Sequence, residues 1–313
     1  MIPAMQLRAA SIGSAVPREN FDAVIQSVFD SAVNLRLAGE DRLITLLVSD
    51  RYELPQGIRI ETKNVALQTL TPPTTLRASP NLHAASRGGI LRFDSSTLTV
   101  DLRGASVWRC PVPDLHADMG SPAVQQAWVR AWERLNQEQR RRKIDIVAGD
   151  LFRFGAGPEL SRRMSKPVMR LVTAAEQFDP QGAQHAAEKM IGLGPGVTPS
   201  GDDILLGFLA GLWSTARGNE RESIFLRAFG ESLIFLARQT SEISRTYLYH
   251  ATRGEFSSGL SDLAQAIAKG GQIEEALEEA MRLGHSSGMD SVTGLLIGLC
   301  VWHGGNPWQL RNA

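Results

Sequence analysis

"IGLGPGVTPSGDDILLGFLAGLW", residues 191–213, decides the fold of the second half of the chain, because it joins a rigid polar loop to an apolar helix. Four glycines, two prolines and two adjacent aspartates precede the apolar run. We interpret Ser200 as the helix N-cap, which puts Asp202 and Asp203 in the first turn, where carboxylates interact favourably with the helix dipole. A cap needs neither the glycines nor the prolines of "GLGPGVTP", so this loop is predicted to have a further role.

A second stretch repeats the pattern of the first. "SGMDSVTGLLIGL" at 287–299 shares Ser, Gly, Asp, Gly, Gly and Leu in register with "SGDDILLGFLAGL" at 200–212, which indicates a repeated loop-helix unit. In each copy the Asp and the two following glycines are spaced by four, so they lie on one helical stripe that lets another backbone approach closely. The repeat predicts two roughly parallel helices packed along these glycines, with Asp203 and Asp290 meeting at one end and facing a common pocket.

Two helix N-termini with glycine-rich loops are typical of an anion site, because several N–H groups point at one ligand. The aspartates would repel a bare phosphate, so the ligand is expected either to offer N–H donors or to come with a bridging cation. In the second case Asp202 and Asp203 are the predicted ligands and Mg²⁺ is the predicted ion. Capping and helix packing alone are the alternative explanation of both loops. The residues predicted to contact the anion are Gly194, Gly196, Thr198, Ser200, Gly201, Ser286, Ser287 and Gly288.

Two further segments contribute candidate side chains. In "TSEISRTYLYHATRG", Ser241, Ser244 and Arg245 share one helix face, and the arginine can hold a carboxylate or phosphate through two hydrogen bonds. The alternative is a surface arginine paired with a glutamate. His285, in "LGHSSGMD", is the histidine best placed for acid-base work. The predicted catalytic residues are therefore Asp203, Asp290 and His285.

Composition narrows the function classes. Lys plus Arg and Asp plus Glu number 33 each, so the excess of positive charge typical of a nucleic-acid or membrane-surface protein is absent from the sequence. The two cysteines, Cys110 and Cys300, are far apart and indicate neither a disulfide framework nor a zinc site. The longest apolar runs fall short of the roughly 18 residues of a membrane span, and the N-terminus does not resemble a leader. We expect a cytoplasmic protein that binds neither membrane nor nucleic acid.

Periodicity divides the chain into two halves. Short β-branched runs broken by turns fill about 20–110, and the spacing after Pro122 is helical. The prediction is an α+β protein, with a small antiparallel β-rich domain at 1–115 and an all-helical domain at 116–313 that carries the repeated unit. Residues 19–30 fit either a helix or a strand. Besides the helix that begins near Pro122, helices are predicted at about 168–190, 201–217, 221–238, 240–252, 260–269, 272–283 and 288–303, several of them closed by a glycine.

Three motifs together resemble one bacterial family. "GLGPGVTPSGDDILLG", "TSEISRTYL" and "GHSSGMDSVTGLLIG", in this order, are similar to the family that includes AllH, a subunit of oxamate carbamoyltransferase in anaerobic allantoin degradation. The resemblance covers most of the helical half, and the N-terminal half only in general layout. The Ser-x-Arg-Thr and His-Pro-x-Gln motifs of the well-studied transcarbamylases are absent from the sequence, which implies a different fold.

The resemblance implies a multi-subunit enzyme, built with AllF-like and AllG-like subunits, that interconverts oxalurate plus phosphate with oxamate plus carbamoyl phosphate. Its anionic substrates (oxamate, carbamoyl phosphate or phosphate) suit helix N-termini and Arg245, and their amide groups suit carboxylate acceptors. In such a site Asp203 or Asp290 would orient the carbamoyl nitrogen. Two alternatives stay open, a non-catalytic ligand-binding or docking subunit and a stand-alone enzyme on another small carboxylate or phosphate.

Overall fold

The computed structural model describes residues 5–50, 52–60, 83–94, 97–153 and 155–302. The chain divides into two units, Met1–Arg109 and Cys110–Ala313. The described part of the first unit consists of strands and that of the second of helices, so the predicted α+β class is confirmed.

The first unit is a closed barrel, so the predicted β-rich domain is confirmed, whereas its predicted antiparallel arrangement holds for only part of the strand pairs. The strands are β1 Met5–Gly13, β2 Phe21–Val28, β3 Ala32–Leu37, β4 Leu43–Val48, β5 Gly57–Ile60, β6 His83–Arg87, β7 Ile90–Phe93, β8 Leu98–Asp101 and β9 Ser106–Trp108. They pair in the order β5-β4-β3-β2-β6-β7-β8-β1-β9, and a further pairing of β1 with β5 closes the ring. The segment 19–30, which fitted either a helix or a strand, contains strand β2; the β-branched run "GIRIETKNVAL" at 57–67 lies outside the described residues beyond Ile60.

Strand direction is the second difference from the prediction. The β4–β5, β1–β8 and β1–β9 pairs are parallel, whereas the other pairs are antiparallel. The first half of β1 pairs with β8 and its second half with β9, and the register of β1 against β5 shifts between Ala9 and Ser11. Alternation of apolar residues reports which face of a strand is buried and not which way its neighbour runs. The barrel core is built from Val33, Leu35, Leu46, Ile58, Leu91 and Val100, among others.

The second unit contains nine α-helices within its described residues. The predicted helix at 168–190 is in fact two, because Phe178 adopts φ +53° and Asp179 caps a new helix by accepting from Gln181 N at 3.1 Å. The other predicted helices are confirmed to within a few residues at their ends. The bounds are α1 Pro122–Arg142, α2 Glu159–Glu176, α3 Pro180–Ala187, α4 Ser200–Thr215, α5 Glu220–Leu236, α6 Glu242–Ala251, α7 Ser258–Ala268, α8 Glu274–Met281 and α9 Ser287–Leu299.

Helices α4 and α9 form the centre of this unit. Every residue of α9 from Gly288 to Leu299 is buried, as is nearly all of α4, which explains why both sequences are apolar on all sides. No helix in the described part of the chain has both the length and the hydropathy to cross a membrane.

The glycine seam between α4 and α9 confirms the predicted packing. A Cβ atom on Gly207 would lie 1.8 Å from Ser291 O, and one on Gly211 would lie 2.5 Å from Leu295 O. Gly294 and Gly298 on α9 meet α4 in the same way. Contacts advance by four residues on both helices in the same direction, so the helices run parallel and their N-termini lie at one end.

We expect Gly207→Ala to destabilise the helical unit. Its methyl group would overlap the α9 backbone, which cannot move aside as a flexible side chain can, and overpacking of this kind costs about 1 to 3 kcal/mol or more. The free energy of unfolding from urea denaturation measures the effect. Gly271→Ala is the matched control, because a Cβ at Gly271 meets nothing within 4 Å; equal stability of the two variants would contradict the seam.

Candidate functional site

Two loops meet where α4 and α9 begin. We call residues 191–199 and 282–286 the paired loops. The hydroxyls of Thr198 and Ser287 are hydrogen-bonded at 2.6 Å and join the first loop to the start of α9. Asp203 and Asp290 lie in the first turns of the two helices, and the pKa of Asp203 is raised by burial and, next, by the nearby charge of Asp290. The two copies of the repeat therefore come together as the sequence predicts.

Glycines shape both loops at equivalent positions. A Cβ on Gly201 would overlap Met190 O, and one on Gly288 would overlap Ala280 O. Gly201 N donates to Leu193 O and Gly288 N donates to Leu283 O, both at 2.9 Å, so these two N–H groups are already used within the protein. They are therefore not available to the predicted anion, and other N–H groups of the loops would have to bind it.

The N–H groups that stay available lie earlier in the first loop. Gly194 and Gly196 adopt φ +125° and +90°, a region that favours glycine. Within the described residues, the N–H groups of Gly194, Gly196 and Thr198 donate no hydrogen bond. Gly196 is exposed, and Gly194 and Thr198 are partly exposed, so a ligand can reach this part of the loop.

The serines at the two helix starts do not act as the predicted N-cap. Pro199 and Ser286 are the N-cap residues, neither of them with a side-chain cap bond, and Ser200 and Ser287 are the first residues inside their helices. The Ser287 hydroxyl is hydrogen-bonded to Thr198 instead, and it lies near enough to Asp203 to favour the ionised form of that carboxyl, as the Ser200 hydroxyl does for Asp290. Each of the two serines therefore lies near the aspartate of the other repeat.

Burial dominates the chemistry of both aspartates. The pKa of Asp290 is raised to about 7, chiefly by burial and to a lesser extent by the charge of Asp145, while the hydroxyls of Ser200 and Ser286 act to lower it. Burial also raises the pKa of Asp203 well above its usual range, and the charge of Asp290 adds to the effect. Among the described residues, no donor has hydrogen-bond geometry to either carboxyl oxygen of Asp290 or to Oδ2 of Asp203. The nearby serine hydroxyls lie outside hydrogen-bond geometry, so these three buried carboxyl oxygens have no hydrogen-bond partner among the described residues.

Asp202 has a different environment from its neighbour Asp203. Its carboxylate accepts from Gly192 N at 2.8 Å and from the Thr240 hydroxyl, and the Ser244 hydroxyl also favours its ionised form. Burial nevertheless raises its pKa. These bonds tie the first loop to the start of α6, a role for Thr240 that no motif in the sequence indicated.

The predicted metal site has little support from this arrangement. Protein donors already engage the Asp202 carboxylate, and the described residues contain no group of three or more His, Cys, Asp or Glu side chains placed to hold a metal ion. Mg²⁺ at Asp202 and Asp203 stays a prediction.

Helix α6 is fastened to the first loop by Ser241. Its hydroxyl donates to Val197 O at 2.5 Å and accepts from Ser244 N at 3.0 Å, which makes Ser241 the N-cap of α6. Arg245 follows in the next turn, half-buried, with Nη2 3.8 Å from Glu242 Oε1. The alternative of an Arg–Glu pair is therefore present, although the arginine is more buried than a surface pair would be.

His285 lies in the second paired loop and is exposed. Among the described residues, no hydrogen bond or ion pair joins its ring to Asp203 or Asp290, so its acid-base role stays a prediction. The candidate residues that the structure does bring together are Thr198, Ser200, Asp203, Ser286, Ser287 and Asp290.

Two family models match the chain. One is described as the AllH family N-terminal domain and matches residues 5–107; the other is described as oxamate carbamoyltransferase subunit AllH and matches residues 190–299. Together they cover about two thirds of the 313 residues, and the second takes in both paired loops. No solved structure matches the chain.

We expect Asp290→Asn to stabilise the protein increasingly as pH rises from about 4 to about 7. A carboxyl whose pKa is higher in the folded than in the unfolded state favours folding at low pH, and this contribution is lost as pH rises through the folded pKa, here about 7. Each unit of pKa difference corresponds to about 1.4 kcal/mol, so the gain at pH 8 should reach a few kcal/mol.

Urea denaturation of both proteins at a series of pH values measures this difference. The exposed Asp114→Asn serves as control, and its stability should run parallel to that of the wild type. A constant difference between Asp290→Asn and wild type across pH 4–8 would show that Asp290 does not titrate abnormally.

Proposed function

The chain belongs to the AllH family, and we propose that its paired loops bind the carbamoyl-bearing substrate of an oxamate carbamoyltransferase. In the proposed reaction an oxygen of phosphate attacks the carbamoyl carbon of oxalurate. The bond from that carbon to the amide nitrogen breaks, the nitrogen takes up a proton, and oxamate and carbamoyl phosphate leave. A site for this reaction must contact a planar amide and must stabilise negative charge on an oxygen atom.

The observation that carries the proposal is the set of three donor-free carboxyl oxygens on Asp203 and Asp290. A buried polar group without a partner costs about 1 to 3 kcal/mol, so a ligand that supplies donors recovers this free energy. The –NH₂ group of a carbamoyl moiety offers two N–H donors and carries no charge. Such a group suits this pair better than a bare anion does.

The anionic part of the substrate has separate contacts. The N–H groups of Gly194, Gly196 and Thr198 donate no hydrogen bond within the described residues, and the N-terminal ends of α4 and α9 add positive potential. Arg245 is the proposed partner for a carboxylate or phosphate, in place of its 3.8 Å contact with Glu242. Negative charge that develops in the transition state would be stabilised by the same N–H groups.

Asp290 is the proposed source of the proton that the leaving nitrogen needs. A general acid works best with a pKa near the working pH, and burial holds the pKa of Asp290 at about 7. Asp203 would then orient the carbamoyl nitrogen through its accepting oxygen. His285, exposed on the second loop, is a further candidate for proton exchange with solvent.

The description of the matching family as a subunit supports a proposal about partner chains. A subunit of oxamate carbamoyltransferase belongs to a multi-subunit complex, and AllF-like and AllG-like chains are the proposed partners here. In the competing interpretation, this chain binds a ligand or docks a partner while another subunit performs the chemistry.

In the reconstituted complex we expect Asp203→Asn and Asp290→Asn each to lower kcat about 100-fold or more, the range for loss of a general acid or of a transition-state contact. Carbamoyl transfer measured by oxamate release tests this, with Asp114→Asn as the control that should keep wild-type turnover. Undiminished turnover in both site variants would refute the proposed roles.

Binding is tested on the purified chain alone. We expect carbamoyl phosphate, and more weakly phosphate or oxamate, to raise the Tm, because a ligand that binds only the folded state stabilises it. Ser287→Ala removes the hydroxyl that contacts Thr198 and should reduce the shift, whereas Ser223→Ala on the exposed face of α5 should not. A Tm shift without turnover in the complex would favour the non-catalytic subunit; no shift with any of these ligands would count against the site.

A further inference from the structure

A groove between α2 and α3 lies outside the site described above. Its volume is about 930 Å³, and its charged or large lining residues are Arg162, Lys166, Met169, Arg170, Asp179 and His185. Small side chains such as Ala174 and Ala186 line the remainder. This volume is near the upper end of the range for ligand-binding clefts, so the groove is much larger than a phosphate-sized ligand requires.

The cations of the α2–α3 groove are unpaired. Within the described residues, Lys166 and Arg170 make neither an ion pair nor a hydrogen bond, and Arg162 donates only to the backbone oxygen of Gly157, at 2.6 Å. The one acidic lining residue, Asp179, caps α3 by accepting from Gln181 N. The groove therefore has an excess of positive charge in a chain whose net charge is zero.

A second groove on the same unit pairs its arginines with glutamates. Between α1 and α8, Arg130 lies 3.7 Å from Glu274 and Arg134 lies 3.6 Å from Glu278. The arginines of that groove are neutralised within the protein. The α2–α3 groove differs from it, because Lys166 and Arg170 have no acidic partner among the described residues.

The α2–α3 groove presents apolar surface beside its positive charge. Met169 is 50% exposed on α2, between Lys166 and Arg170 in the chain, and methionine adapts its shape to apolar partners. A small inorganic anion would gain nothing from this side chain. An acidic helix with apolar residues on one face matches both the charge and the apolar lining.

We propose that the α2–α3 groove docks an acidic amphipathic helix of a partner subunit. The proposal rests on the proposed function, because it requires that the chain assemble with other subunits. The partner's carboxylates pair with Arg162, Lys166 and Arg170, and its apolar face covers Met169. Helix α3 leads directly into the first paired loop, since Ile191 N donates to Ala187 O at 2.9 Å, so the docked helix lies next to the element that carries that loop.

The test is charge reversal in the groove. Lys166→Glu/Arg170→Glu should weaken association with AllF-like and AllG-like subunits about tenfold or more, because like charges then face the partner's carboxylates. Arg163→Glu/Arg227→Glu, on exposed residues outside the groove lining, carries the same change of net charge and should stay within about twofold of the wild type. Surface plasmon resonance at low and high salt measures the affinities, and circular dichroism verifies that both variants are folded.

The outcomes separate this proposal from the proposed function. Wild-type affinity in the groove variant, or equal weakening in both double variants, overturns docking at the groove and leaves the paired-loop site standing. If the wild-type chain assembles with neither subunit, the complex and the docking proposal fail together. The Tm shift of the isolated groove variant with carbamoyl phosphate should equal that of the wild type, because the groove residues do not lie in the paired loops.

Discussion

The backbone contact between α4 and α9 is the constraint on which the rest of the helical unit depends. Glycines at 207, 211, 294 and 298 let the two helices approach until a single methyl group would not fit between them. In a parallel pair the first turns of both helices lie at the same end, and Asp203 and Asp290 belong to those first turns. The glycine packing therefore determines the position of the acidic pair.

The same contact buries the acidic pair. Asp290 is fully buried, and burial is the first cause of the raised pKa of both aspartates. Groups with strongly shifted pKa values and unmet hydrogen bonds lower stability, and they occur preferentially at functional sites. Neutralising Asp290 is expected to raise the free energy of unfolding and to lower turnover. Such a trade-off between stability and activity is common at functional sites.

Asp202 and Asp203 show how tertiary structure separates residues that look equivalent in sequence. Successive side chains on a helix point about 100° apart, so the two carboxylates face different neighbours. Asp203 faces α9 and its repeat partner, whereas Asp202 faces Gly192 and Thr240 and fastens the loop to α6. Only one of the pair corresponds to Asp290, which agrees with the register of the repeat.

Local pattern in the sequence was enough to predict the α+β class, nearly all helices of the second half, the parallel packing of the repeated helices and the meeting of Asp203 with Asp290. These features follow from local periodicity and from glycine spacing, which act along one helix or strand. The sequence did not indicate the closure of the barrel, the direction of its β4–β5, β1–β8 and β1–β9 pairs, the bond between Thr198 and Ser287, or the lack of acidic partners for Lys166 and Arg170 among the described residues. Periodicity specifies which face of an element is buried, but partners, direction and pairing of charges depend on which elements meet in space.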